Sequence, residues 1–170
     1  MKEVAIIDYG AGNIGSLFNA IEYLNFKPII IKNPTEKNYS HILLPGVGSF
    51  GRLSNNLKKL SLDQYIFECL KSGSYLFGIC IGMQLLFEKS EESPDSKGLS
   101  LINGNFEKIL PQNKSNLPLP HIGFSRVNNE NSKLFNVIEK DPFFYFIHSY
   151  CLKSVPKNVN FCNTEYGEKF

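Results

Sequence analysis

Arginine is scarce in this chain of 170 residues: only Arg52 and Arg126 among 18 basic residues. No arginine cluster is available to fork onto phosphates. An excess of charge is also missing, because 18 basic against 16 acidic residues leave +2. That balance argues against a nucleic-acid reader driven by phosphate contacts. Long apolar runs are absent. The longest largely apolar stretch, Tyr75 to Phe87, has 13 residues and includes Gly and Gln, too short to span a bilayer. The first residues, MKEVAIIDYG, lack the apolar core and small-residue cleavage site of a secretory signal. The four cysteines, Cys69, Cys80, Cys151 and Cys162, are far apart and form no CxxC. Close ligand pairs for zinc are therefore missing, and a disulfide framework is not expected without a secretory signal. The cytoplasm is the expected compartment, and no metal or cofactor is implied.

What is present is ordinary globular material, 42% hydrophobic and 20% charged, in a length that suits one domain. The first half alternates. Val4–Asp8 reads as a buried strand, and Pro28–Ile31, His41–Leu44 and Tyr75–Ile79 read as further strands. Ile14–Leu24, Leu53–Leu60, Leu62–Lys71 and Ile81–Glu88 read as helices, with Gly73 as a stop. Strands alternating with helices imply a parallel sheet with right-handed crossovers. After Ser90 a polar stretch, Glu91 to Ser96, marks a change. Strand-like pieces follow near Gly104–Leu110, Ile122–Val127, Phe143–Ile147, Tyr150–Val155 and Val159–Asn163, with a helix around Ser132–Ile138. These read as antiparallel strands added to the α/β half. Pro111 to Pro120 is the most loop-like segment. There is no internal repeat, and residues 1–170 read as a single domain.

The segment richest in chemistry is Gly78-Ile-Cys80-Ile-Gly82, a sharp turn between a strand and a helix. This is the cysteine form of a nucleophile elbow. Glycines two residues on either side allow neighbouring chains to approach a strained turn. A helix opening at Ile81 would aim N–H groups and its positive end at the sulfur, favouring thiolate. The Ile81 N–H is then a natural oxyanion donor. The competing reading is a buried structural cysteine, and the five residues alone do not choose between the two. Cys69, Cys151 and Cys162 lack such a setting and read as structural.

Two glycine-rich turns accompany the elbow. Pro45-Gly-Val-Gly-Ser-Phe-Gly51 follows a strand, at the end where open α/β sheets bind ligands. It could supply a second oxyanion donor, or be a tight connection only. Gly10-x-Gly12-x-x-Gly15 has dinucleotide-binding spacing. The second strand, however, ends in Ile29-Ile-Ile-Lys32, with no acid to hold a ribose.

Ile7-Asp-Tyr-Gly-Ala-Gly-Asn13, Leu44-Pro-Gly-Val-Gly-Ser-Phe-Gly51, Gly78-Ile-Cys-Ile-Gly-Met-Gln-Leu-Leu-Phe87, Lys97-Gly-Leu-Ser-Leu-Ile102, Pro120-His-Ile-Gly123 and Tyr145-Phe-Ile-His-Ser-Tyr150 occur in this order. Together they resemble the glutaminase subunits of imidazole glycerol phosphate synthase, within the class I glutamine amidotransferases. The resemblance continues to Asn163-Thr-Glu-Tyr-Gly167. It implies a flavodoxin-like open, mainly parallel sheet flanked by helices, with an added antiparallel part. It also implies a reaction: Cys80 attacks the side-chain amide of glutamine, ammonia leaves, and the thioester is hydrolysed to glutamate. Val47 or Gly48, with Ile81, would donate to the oxyanion. Gln84 would help hold the substrate, and the backbone near Ser149 and Tyr150 would hold its amino-acid end. The implied partner is a (β/α)8-barrel cyclase in a heterodimer, which receives the ammonia through a tunnel for histidine biosynthesis. Asn13, Phe124 and Tyr145 fall where the family has that interface, although Phe124-Ser125 replaces the usual Trp-Asn.

A thiol nucleophile needs a base and an orienting acid. The family takes both from a His-Pro-Glu segment beyond a further strand, and the 170 residues end before one appears. His41 reads as a strand-end residue and His121 as a backbone-bonded loop residue. His148 matches a family histidine near the active site that is not the base. The preferred expectation is a fragment of a working amidotransferase. The alternatives are a complete, non-catalytic scaffold for the barrel, or an ammonia supplier to a sugar-modifying synthase.

Overall fold

Alternating apolar runs and amphipathic stretches produce, in the computed structural model, two compact units, Met1–Ile102 and Asn103–Phe170. Residues 1–110, 117–128, 138 and 142–170 are described. Most of the Pro111–Pro120 loop, and the helix expected around Ser132–Ile138 except for Ile138, lie outside the described residues.

The first unit holds β1 (Glu3–Ile7), α1 (Ile14–Tyr23), β2 (Lys27–Ile31), β3 (His41–Leu44), α2 (Phe50–Lys59), α3 (Leu62–Lys71), β4 (Tyr75–Gly78), α4 (Ile81–Gln84) and the two-residue β5 (Lys89–Ser90). Strands β1 to β4 form one parallel sheet in the order β2-β1-β3-β4. Burial on both faces explains the continuous apolar run of β1, whereas β2 leaves Ile30 exposed and β4 leaves Tyr75 and Phe77 exposed. Ala5, Ile7, Ile42 and Leu44 of the sheet share a core with Phe50, Leu53 and Leu57 of α2 and with Leu62, Tyr65 and Ile66 of α3. Full burial of each large side chain contributes about 1.5–3 kcal/mol. Val4 and Ile6, the alternate residues of β1, are buried as well.

Two differences from the sequence reading concern helices. Helix α2 begins at Phe50 rather than Leu53, because distant side chains hold its first turn. The Phe50 N–H donates to the Glu92 carboxylate at 2.7 Å, and the Gly51 N–H to Ser93 Oγ at 3.1 Å. A carboxylate at a helix start contributes about 1 kcal/mol. Helix α4 is much shorter than Ile81–Glu88. The carbonyls of Leu85, Leu86, Phe87 and Glu88 accept N–H groups from the segment Gly98–Ile102. From Leu86 the turn tightens to i→i−3 bonds, Leu86 N–H to the Met83 carbonyl and Phe87 N–H to the Gln84 carbonyl, so the α-helix is not continued.

The second unit holds β6 (Asn105–Lys108), β7 (His121–Arg126), β8 (Phe143–His148) and β9 (Tyr150–Leu152). Strands β7 and β8 pair antiparallel from His121 opposite His148 to Arg126 opposite Phe143. Strands β6 and β9 pair antiparallel, with Phe106 opposite Leu152. The added antiparallel part is therefore present. Val159–Asn163 does not form the expected strand. The Val159 N–H turns back to the Pro156 carbonyl, and Asn163 makes only an isolated bridge to Asn128.

Candidate active site

Strand β4 ends at Gly78, and the Ile79 N–H still donates to the Leu44 carbonyl at 2.9 Å. Cys80 follows at φ 56° and ψ −118°, a conformation that costs a non-glycine residue and is found at functional turns. The chain then enters α4 at once, and the Gln84 N–H donates to the Cys80 carbonyl at 3.1 Å. The side chain of Cys80 is exposed. This is the elbow geometry read from the sequence. Its glycines have a visible reason: a Cβ on Gly82 would lie 1.8 Å from the Leu44 carbonyl oxygen, and one on Gly46 would lie 2.6 Å from the Gly82 nitrogen. The Pro45–Gly48 loop is thus pressed against the first turn of α4, beside Ile81. Pro45 and Gly46 are buried, whereas Val47 is 65% exposed.

The thiol of Cys80 lies above its ordinary value. Desolvation by the surrounding protein is the larger cause. The Ile81 N–H pulls the other way, and the Glu92 carboxylate adds to the rise. The expected preference for thiolate is therefore not met. One turn of helix and one N–H do not outweigh lost hydration and a nearby negative charge. Glu92 had been read only as part of a polar stretch. Nothing in its local sequence signals that it sits near the nucleophile.

Gln84 is buried, and its Oε1 has no hydrogen-bond partner. A buried unpaired amide oxygen costs about 1–3 kcal/mol, so its position calls for a ligand group or water. Gly10 and Gly12 both have positive φ, and a Cβ on Gly12 would meet Pro45 Cβ at 2.9 Å. The dinucleotide-like spacing thus serves close packing on the Pro45 loop. Asn13 Oδ1 accepts the Ser16 N–H at 3.0 Å and caps α1.

The remaining named residues, His41 apart, belong to the second unit. Ser149 lies between β8 and β9, and its carbonyl accepts the Ile109 N–H at 2.9 Å. Tyr150 pairs with Lys108. Phe124 and Tyr145 stand opposite one another across β7 and β8, 70% and 57% exposed, with ring centroids 5.3 Å apart. His121 departs from the expected backbone-bonded loop residue. It opens β7, is buried, and bonds to side chains: Nδ1 to His148 Nε2 at 3.0 Å and Nε2 to Ser125 Oγ at 2.9 Å. Its ring stacks between Tyr166 and Phe146. His148 Nδ1 in turn bonds the Tyr150 carbonyl at 2.9 Å. Strand alternation puts residues 121 and 125 on one face, a placement that a loop reading could not foresee. His41 is exposed at the first position of β3 and stacks on Tyr75.

The family description "Glutamine amidotransferase class-I" matches residues 5–169. This chain belongs to the class I glutamine amidotransferases. Among curated proteins, it is 40% identical over 185 residues to imidazole glycerol phosphate synthase subunit HisH of Helicobacter hepaticus, covering 98% of this chain and 82% of that protein. It is 35% identical over 167 residues to the HisH subunit of Bacillus subtilis, covering 96% and 79%. Solved structures agree on the amidotransferase fold. A glutamine amidotransferase superposes with a TM-score of 0.70 at 14% identity, over 92% of this chain and 77% of that one. The structure of PurLQS from Thermotoga maritima gives 0.69 at 18% identity, over 98% and 77%.

Proposed function

We propose that this amidotransferase is the glutamine-hydrolysing subunit of an imidazole glycerol phosphate synthase, delivering ammonia to a (β/α)8-barrel cyclase in histidine biosynthesis. The observation that carries the proposal is Cys80, exposed at positive φ on the β4–α4 turn and flanked by the glycine loop. The likeness to HisH subunits directs it to this pathway. Residues 1–170 serve as one amidotransferase domain.

In this mechanism Cys80 Sγ attacks the side-chain amide carbon of glutamine. The carbonyl oxygen takes up negative charge and receives N–H groups from Ile81 and from Val47 or Gly48. Such donors are worth about 10²–10³ in rate. The amide C–N bond breaks, ammonia departs with a proton, and water hydrolyses the thioester to glutamate. A thiol nucleophile gives up its proton to a base, the part played in the family by the His-Pro-Glu segment. The unpaired Gln84 oxygen supports a contact to substrate. The Glu92 carboxylate is complementary to the α-ammonium of an amino acid. Ser149 and Tyr150 are assigned the amino-acid end of the substrate. Exposed aromatic rings at Phe124 and Tyr145 suit docking onto the cyclase, with Asn13 as a further interface residue. Among the described residues no helix is long and apolar enough to cross a membrane, and the assigned compartment is the cytoplasm.

The test is growth of a histidine auxotroph on the gene, together with glutamine-dependent and ammonia-dependent synthesis by the complex. Complementation and glutamine-dependent synthesis are expected. Complementation that survives loss of Cys80 under nitrogen limitation would remove the nucleophile from its role.

A further inference from the structure

We propose that Tyr9 and Arg52 are positioning residues that clamp the Pro45–Gly48 loop by its carbonyls and so set the distance of its oxyanion donor. The inference rests on the amidotransferase reading above and adds two side chains to it. Tyr9 follows β1 by two residues and is 1% exposed. Its hydroxyl donates to the Pro45 carbonyl at 2.5 Å. Arg52 lies in the first turn of α2, and its Nη2 donates to the Val47 carbonyl at 3.4 Å. A trans peptide is planar, so fixing the C=O of one residue fixes the N–H of the next in the opposite direction. The Pro45–Gly46 and Val47–Gly48 planes are thereby both held, by side chains from different elements, and they bracket Gly46 and Val47.

Core packing accounts for the ring of Tyr9 but not for where its hydroxyl is bonded, and helix stability does not account for Arg52. A cation in the first turn of a helix works against the helix dipole, so α2 gains nothing from Arg52 at that position. The Arg52 guanidinium lies over Gly48 instead. Gly48 has φ +137°, and a Cβ there would lie 2.3 Å from Arg52 Nη2 and 3.4 Å from its Cζ. The guanidinium therefore occupies the space a side chain would fill. Tyr9 buries a hydroxyl, which costs free energy unless it is bonded, and its bond is to the loop. The Tyr9 carbonyl is itself held by Asn56 Nδ2 of α2 at 3.1 Å. The same helix thus supports both ends of the clamp. Because Gly46 presses on the first turn of α4, a shift of the loop changes the spacing between its donors and the Ile81 N–H.

The experiment compares Tyr9→Phe and Arg52→Ala with wild type in complex with the cyclase. It measures kcat and KM for glutamine, and Cys80 alkylation by iodoacetamide. Alkylation proceeds by direct displacement and forms no oxyanion. Expected is a fall in kcat of about tenfold in each variant, part of the cost of losing a donor outright. KM and alkylation should stay within about twofold. Arg52 is exposed, so its variant keeps the test open if Tyr9→Phe folds poorly. An active wild type with both variants unchanged in kcat would overturn the clamp and leave the proposed function standing. A rise in KM alone, or a matching loss of alkylation, would also overturn it. A wild-type complex without glutamine hydrolysis would instead sink the proposed function.

Discussion

In Met1–Ile102 the buried side chains are mostly Ile, Leu, Phe and Tyr, from strands and helices that meet in one cluster. In Asn103–Phe170 a central buried side chain is an imidazole, His121, stacked between Tyr166 and Phe146 and bonded to His148 and Ser125. The first unit is held by area removed from water, and its site is built mainly from backbone groups around one thiol. The second also buries Phe106, Ile109, Val127 and Cys151 and adds stacked rings with a chain of hydrogen bonds; it leaves Ile122, Phe124, Phe143, Tyr145 and Ile147 exposed, as the first leaves Tyr23, Tyr75 and Phe77. On the proposed function the chemistry falls to the first unit and the docking rings to the second, which adds a polar ring cluster to its apolar core.

The sharpest way to break this division is Cys80→Ala. Glutamine hydrolysis by the complex is expected to fall by about 10⁴-fold or more, while synthesis from added ammonia continues. Retained hydrolysis would move the chemistry out of the first unit. Next in size is Gly82→Ala. A Cβ 1.8 Å from the Leu44 carbonyl oxygen should destabilise the first unit by about 3 kcal/mol. Thermal unfolding of that unit checks it, and an unchanged midpoint would show that the β3–α4 contact is slack.

Phe124→Ala with Tyr145→Ala probes the other side of the comparison. Affinity for the cyclase should drop about 10- to 100-fold, as for exposed aromatic anchors. The melting temperature should hardly move, because neither ring is buried. Full affinity in the double variant would place the docking surface elsewhere.

A smaller effect comes from pH. Burial holds both His121 and His148 below 6.5, with His148 adding to the depression at His121 and the Tyr150 carbonyl partly opposing it at His148. The unfolded chain therefore takes up protons first as pH falls. The contribution of the pair is complete above pH 6.5 and is lost as pH drops through the lowered folded values. Amide exchange corrected for its intrinsic pH dependence should show β7 and β8 opening more readily at pH 5 than at pH 7.5, with β1 and β3 unchanged. Equal responses in both units would refute the contrast. The smallest effect is in thiol labelling. Buried Cys69 and Cys151 should resist iodoacetamide, whereas Cys80 should label at a rate still climbing as pH passes 9.

The first unit was largely legible because its signals are local: apolar runs at strand length, helical spacing, and glycines beside Cys80. The limits of α2 and α4 were not, because partners about ten to forty residues away meet the chain there. Glu92 and Ser93 extend α2 to Phe50, and the carbonyls just after α4 pair with Gly98–Ile102. The position of Cys80 could be read, but the direction of its thiol shift could not, since it depends on burial and on Glu92. In the second unit strand positions were found approximately. The bonding of His121 was missed because its partners, Ser125 and His148, become neighbours only through strand alternation and pairing.

Polar surface segments usually absorb insertions and deletions across a family with little harm. The stretch around Glu92 and Ser93 is tied to a helix start instead. Its spacing from β5 sets where α2 starts, and α2 carries both Arg52 and Asn56. A change in the length of this loop would therefore move the start of α2, and with it the guanidinium that meets the Val47 carbonyl.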